Sequence, residues 1–314
     1  MGAGGRSWLA RTGRAAAQSA STVGYLTGWR VVRALPERTA LAIFARAADE
    51  LHRRNGKSVQ RLRGNLARVR PELGPEDLDD LTHAGVRSYL RYWAESFRLP
   101  AWPTDDLVGR TRVVNEPMVR ELHAQGRGVV AALPHMGNWD WAGAWACSTG
   151  MPLTTVAERL RPERLYDEFV AYRASLGMEI LPAGAPETFP ALVDRLARGR
   201  LVPLLADRDL SRAGVEVMLC GEPARMPRGP SELARRTGAP LLPVTLTYEG
   251  PELVITFHPP VPVVEGDRGA AAMMQGVADR FTDGFRAHPE DWHMMQRVFT
   301  ADLAPAAANH GDGG

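Results

Sequence analysis

From Leu99-Pro100 onward, short uncharged apolar runs alternate with longer amphipathic stretches, and this alternation is the strongest constraint on what the chain can become. Runs at 112–114, 128–133, 152–157, 178–182, 201–206, 215–219, 241–248 and 252–258 read as strands. Stretches near 116–125, 138–148, 162–176, 187–198, 229–238 and 268–287 read as helices. Strands apolar on both faces need cover on both, so the pattern predicts an α/β fold with a central, mostly parallel β-sheet covered by helices. No internal repeat is found.

Amphipathic helices are expected before the sheet. Val23, Leu26, Trp29, Val32 and Leu35 interleave with Arg30 and Arg33, and after Pro36 the residues Leu41, Phe44, Ala48 and Leu51 recur at helical spacing. Helical spacing continues through Asn65 to Val69, and a long helix over Glu76–Phe97 carries Tyr89, Tyr92, Trp93 and Phe97, which read as core. Residues 1–70 hold fourteen basic against three acidic side chains. That charge, with Trp and Leu on one face, predicts helices lying on an anionic membrane surface; the competing reading packs the same faces on the core. Residues 1–20 and 304–314 are expected to be disordered, leaving 21–303 as one unit: a basic helical part (21–100) and an α/β core (101–303). Two cysteines without paired spacing, Cys147 and Cys220, suit a reducing compartment. No run reaches bilayer length and the N-terminus lacks a signal-peptide apolar core, so neither a span nor export is expected.

The chemistry is expected where the run Gly128–Leu133 stops at Pro134-His135-Met136-Gly137-Asn138-Trp139-Asp140. A histidine there stands at the carboxyl end of a buried strand, just before a helix capped near Asn138, which is where open α/β sheets place ligands. Asp140 falls in the first helical turn and is within reach of the imidazole. A carboxylate on one ring nitrogen makes the other a better proton acceptor, as general-base catalysis needs. A second apolar run, Leu201–Ala206, also ends in charge, at Asp207-Arg208-Asp209, which suggests one shared crevice. The same three residues also read as the D-x-D metal clamp of a glycosyltransferase. A third reading is a non-catalytic adaptor for lipid surfaces. There is no G-x-S-x-G elbow for a serine-hydrolase mechanism, no H-E-x-x-H or Cys-His zinc pattern, and no Walker or Rossmann glycine fingerprint. Neither a metal or other resident cofactor nor a nucleic-acid partner is expected.

The stretch Pro134–Asp140 resembles the H-x4-D signature of the glycerolipid and lipid A acyltransferase superfamily. Val156-Ala157-Glu158-Arg159-Leu160, Ala206–Leu210, Arg225-Met226-Pro227 and Asp291-Trp292-His293-Met294 extend the likeness to the actinobacterial branch that acylates phosphatidylinositol mannosides, over roughly residues 20 to 303. The resemblance implies an acyl-CoA-dependent O-acyltransferase at the cytoplasmic face of the membrane. It would move palmitate from palmitoyl-CoA, a co-substrate, to the 6-hydroxyl of the mannose on the inositol 2-position. His135 would be the base. The acidic position after Ala206 assists it in such enzymes; Glu is usual there and Asp207 is one methylene shorter, so Asp207, Asp140 or both remain candidates to orient His135. The resemblance further places Glu158 and His293 at the polar acceptor and Arg173 near the acyl donor. Arg212, Arg225 and Arg228, the last just before the Gly229-Pro230 helix start, are candidates for the donor phosphates. Backbone N–H groups near Gly137 and Asn138, or an arginine, are expected to meet the oxyanion.

Overall fold

The computed structural model describes residues 28–159, 162–209 and 213–303. Helix α1 (28–34) is followed by α2 (Glu37–Arg54), α3 (Lys57–Val69) and α4 (Pro75–Arg98). The dipeptide Asn55-Gly56 separates α2 from α3: Asn55 turns left-handed at φ 43°, ending α2, and Gly56 is the N-cap of α3. Val23, Leu26 and the termini expected to be disordered lie outside the described residues.

A short 3₁₀ turn and α5 (Thr104–Gly109) lead into the sheet. Its elements are β1 (Thr111–Val114), α6 (Glu116–Ala124), β2 (Val129–Leu133), α7 (Trp139–Ser148), β3 (Thr154–Ala157), α8 (Glu163–Ser175), β4 (Glu179–Pro182), α9 (Thr188–Ala197) and β5 (Leu201–Leu205). A hairpin of β6 (Val215–Leu219) and β7 (Glu222–Met226) follows, then α10 (Gly229–Thr237), β8 (Leu241–Glu249), β9 (Glu252–Phe257) and α11 (Gly269–Ala287). All eight expected strands are present within a residue or two. β7 is the addition; its Glu222, Pro223 and Arg225 break the apolar pattern, and pairing with β6 supplies what propensity does not.

The strand order is β1-β9-β8-β2-β5, parallel throughout except between β8 and β9, which are joined by a tight antiparallel turn. The β3–β4 pair is parallel and continues the sheet through a bridge from Leu153 to Leu201. β2 is therefore central, and all five of its residues are buried. Two large apolar clusters sandwich the sheet. One gathers Trp292, Phe281, Phe285 and Leu233, the other Trp141, Trp145, Leu153 and Phe257.

The N-terminal helices lean on α4. Trp29 and Phe44, both expected to enter lipid, instead pack against Phe97 at centroid distances of 5.2 and 6.1 Å. The large apolar side chains that α1 and α2 leave outward are Val31 and Ile43. Among the described residues no helix is long and apolar enough to cross a membrane.

Candidate active site

β2 and β5 pair with Leu133 opposite Leu205, so the second residue beyond each strand arrives at the same place: His135 from one, Asp207 from the other. Between them the Ala206 N–H donates to the Leu133 carbonyl at 2.7 Å. Past His135 the chain must turn sharply beneath β8. Gly137 does so at φ +57°, and a Cβ there would lie 2.6 Å from the Leu246 carbonyl oxygen, so conformation and close approach both require glycine. Asn138 then caps α7, its side-chain oxygen accepting from Trp141 N–H at 3.0 Å, a bond typically worth about 1 kcal/mol.

Asp207 holds the histidine twice. The His135 backbone N–H donates to Oδ2 at 2.9 Å, and Nδ1 lies 2.7 Å from Oδ1. A carboxylate accepts only, so Nδ1 carries the proton and Nε2 presents a bare lone pair. Trp292 donates its indole N–H to Oδ2 at 2.9 Å. Burial raises the cost of the Asp207 charge, but the imidazole and these donors more than reverse it, holding the carboxyl below its ordinary range. Asp207 is fully buried whereas the His135 side chain is 33% exposed, so the base is open to a substrate and its partner is not.

Asp140 is elsewhere engaged. Arg173 donates from Nε to its Oδ1 at 2.7 Å, and the Tyr92 hydroxyl donates to Oδ2 at 2.9 Å. The reach from Asp140 back to the imidazole, expected from spacing, is not made, because the β3–α8–β4 crossover brings a guanidinium to that carboxylate first. Burial works against the Arg173 charge and Asp140 outweighs it, so the guanidinium is held more firmly charged than usual. Asp140 and Arg173 form part of the wall of a largely apolar cavity between α7 and the sheet, with Leu133, Ala142, Gly143 and Ala146 among its lining.

Residues 291–293 run antiparallel to the turn after His135. His293 N–H donates to the His135 carbonyl at 2.8 Å and Gly137 N–H to the Asp291 carbonyl at 3.0 Å, about the Met136–Trp292 bridge. The Gly137 N–H, an expected oxyanion donor, is thus already used. The Ser88 hydroxyl donates to Asp291 Oδ1 at 2.6 Å and lies 2.9 Å from His293 Nε2. Having given its proton to the carboxylate, Ser88 can only accept from His293. Its Nε2 therefore carries the proton, while Nδ1 is buried with no hydrogen-bond partner among the described residues. Burial, reinforced by the neighbouring His135, pushes the His293 pKa down to about 3, and burial pushes Asp291 up to about 6.

Residue-by-residue reading missed the contribution of α4. Ser88, Tyr92 and Glu95 fall on one face of that helix and all are buried. Glu95, whose charge burial disfavours, accepts from Tyr248 OH at 2.7 Å and from Asn138 Nδ2 at 3.2 Å, so it orients the amide that caps α7. The available signal was a carboxylate embedded in an aromatic stripe.

The remaining candidates do not gather at His135. Glu158 is exposed at the end of β3. Arg225 donates to the Gly214 carbonyl at 2.9 Å and lies 3.7 Å from Asp209, while Arg228 pairs with Glu232 at 2.9 Å. Arg212 lies outside the described residues. The D-x-D reading loses its premise: Asp207 serves His135 and Trp292, whereas Asp209 accepts from Gly214 N–H at 2.9 Å and faces Arg225.

A model of the bacterial lipid A biosynthesis acyltransferase family matches residues 13–301. The chain is 44% identical over 284 residues to the phosphatidylinositol mannoside acyltransferase of Mycolicibacterium smegmatis, covering 90% of this chain and 92% of that one. It is 43% identical over 296 residues to the protein of the same name from Mycobacterium tuberculosis H37Rv, covering 91% of each.

Proposed function

We propose, from the premise that this chain belongs to the bacterial lipid A biosynthesis acyltransferase family and is an acyltransferase, that it transfers palmitate from palmitoyl-CoA to a phosphatidylinositol mannoside. The site of transfer is the 6-hydroxyl of the mannose on the inositol 2-position. The observation that carries this reading is the buried Asp207 fixing His135 with Nε2 bare, beside an apolar cavity.

His135 Nε2 takes the proton of the sugar hydroxyl as its oxygen attacks the thioester carbonyl, and the imidazolium is stabilised by Asp207. The tetrahedral intermediate collapses with departure of the CoA thiolate, which takes up a proton from His135. No acyl-enzyme is needed, since the thioester is already activated. The Asn138-capped N-terminus of α7 supplies positive potential for the oxyanion. The cavity between α7 and the sheet takes the acyl chain, and Arg173, Arg212, Arg225 and Arg228 serve the donor. Glu158 and His293 serve the acceptor. Acyl-CoA is a co-substrate, and no resident cofactor is involved.

The protein works as a peripheral enzyme on the cytoplasmic leaflet. Outward Arg30, Arg38 and Arg46 beside Val31 and Ile43 support the attachment. Release of free CoA from palmitoyl-CoA, with and without mannosylated inositol lipid, tests the activity: stimulation by the lipid is expected, and lipid-independent release or none would refute it. Vesicle co-sedimentation that ignores lipid charge and salt would refute the attachment.

A further inference from the structure

Trp292 stands directly behind the dyad. Its indole N–H donates to Asp207 Oδ2 at 2.9 Å, the same oxygen that accepts the His135 backbone N–H at 2.9 Å, while Oδ1 faces Nδ1 at 2.7 Å. The indole is fully buried and is fixed on both sides. Phe285 stacks on it at 4.2 Å and 15°, and Phe299 meets it edge-on at 6.4 Å. Its neighbours in the chain are tied to the histidine turn, His293 N–H to the His135 carbonyl and the Asp291 carbonyl to Gly137 N–H.

Packing alone would be met by phenylalanine. What tryptophan adds is a rigid N–H that has to find an acceptor when buried, and here the acceptor is the catalytic carboxylate. Rotation about the last bond of an aspartate is only loosely restrained by its own torsional preferences. Two donors converging on Oδ2 fix it.

We propose that Trp292 is a positioning residue for the His135–Asp207 dyad: its indole N–H locks the Asp207 carboxylate in plane with the imidazole and draws part of the negative charge away from it. The proposal rests on His135 acting as the base. Two consequences follow from the chemistry. Without the indole N–H the carboxylate is free to rotate, so proton transfer is slowed at unchanged substrate affinity. Where carboxylate and imidazole remain bonded, the charge is concentrated on Oδ1 and the imidazole becomes more basic.

The test is Trp292→Phe, which keeps a ring on Phe285 and deletes the donor. A roughly ten- to hundred-fold fall in kcat is expected, with KM for both substrates within about twofold, since hydrogen bonds to charged groups are worth about 1.5–3 kcal/mol. The acid limb of the kcat/KM profile should move to higher pH. Among the described residues the ionisable groups near the dyad include His293, Asp291, Arg208, Asp209 and the Asp140–Arg173 pair. Because Asp291 adjoins Trp292 and has a pKa of about 6, the limb is also measured in Asp291→Asn and in the double variant, and a shift that persists without Asp291 reads the dyad. Phe285→Leu, which loosens the stack and keeps the N–H, should lower thermal stability without moving that limb. If Trp292→Phe fails to fold, the ¹⁵N indole resonance of Trp292 in the unsubstituted enzyme is followed with pH and should titrate with the His135 imidazole. A pH-invariant indole, or a folded Trp292→Phe enzyme with unchanged kcat and acid limb, overturns the proposal. His135→Ala separates the two levels of the argument. An active His135→Ala enzyme refutes the base, whereas an inactive one beside an unaffected Trp292→Phe enzyme refutes only the role of Trp292.

Discussion

Arg173 Nε donates to Asp140 Oδ1 at 2.7 Å, and this bond commits the carboxylate five residues after His135 to a guanidinium instead of the imidazole. The H-x4-D spacing therefore carries two functions on one turn of chain. His135 is served by Asp207, and Asp140 anchors α8 to the wall of the apolar cavity.

The two carboxylates should consequently fail in different ways. Asp207→Asn leaves the imidazole without its charged partner and should lower kcat by roughly 10²–10⁴-fold, with little change in KM. Asp140→Asn weakens the hold on Arg173 and should raise KM for the acyl donor more than it lowers kcat. Steady-state kinetics with palmitoyl-CoA decides; equal effects on both constants from both variants would contradict the division.

Asp291→Asn should reverse a hydrogen-bond chain. The amide oxygen must accept from Tyr248 N–H, now 2.8 Å from Oδ2, which turns the amide nitrogen toward Ser88. Ser88 then donates to His293 Nε2, and the ring proton moves to Nδ1. ¹⁵N shifts of the imidazole report the tautomer, and an unchanged Nε2–H form would show that the direction of bonding is set elsewhere.

The depressed pKa of His293, about 3 against an ordinary 6.5, makes an acid-dependent contribution of definite sign. Below pH 6.5 the unfolded chain binds a proton that the folded protein refuses, so stability is lost progressively down to about pH 3. Asp291 opposes this, because its raised pKa of about 6 lets the folded protein bind a proton before the unfolded chain does. The unsubstituted curve therefore conceals the slope. Relative to it, His293→Asn should gain up to about 1.4 kcal/mol for each pH unit of acidification in that window. Urea titrations of the pair at several pH values measure the difference, and parallel curves would mean that His293 titrates normally.

Ala146 lines the apolar cavity two turns along α7 from Trp139, about 10 Å away at a rise of about 1.5 Å per residue. If the cavity takes the acyl chain as proposed, Ala146→Leu reduces its volume and should shift preference toward shorter donors. Each methylene that no longer fits costs about 0.8 kcal/mol, or roughly fourfold. An unaltered chain-length profile would place the acyl chain somewhere else.

The central strand and the cap near Asn138 were legible because each is written in a few adjacent residues whose backbone requirements are local. So was the convergence of His135 with Asp207, since two buried runs ended in charge. The partnership of Asp140 with Arg173 was not, because it depends on where a crossover lays α8. Ser88 and Glu95 were hidden for a different reason: on a helix rich in Tyr and Trp, a buried serine or glutamate looks like surface until its partners on other elements are known. Trp29 and Phe44 show the limit of amphipathicity, which reports that a face is covered and not by what.

The Met136–Trp292 bridge also has a temporal meaning. The first half of the chain already holds His135, yet Asp207 comes in the second half, and the strand-like segment that pins the histidine turn and covers Asp207 leaves the ribosome later still. A nascent chain displaying β2 and α7 thus carries an unfastened histidine, which needs first Asp207 and then the 291–293 segment. Premature termination upstream of Asp291 would release a polypeptide whose histidine turn has no clasp.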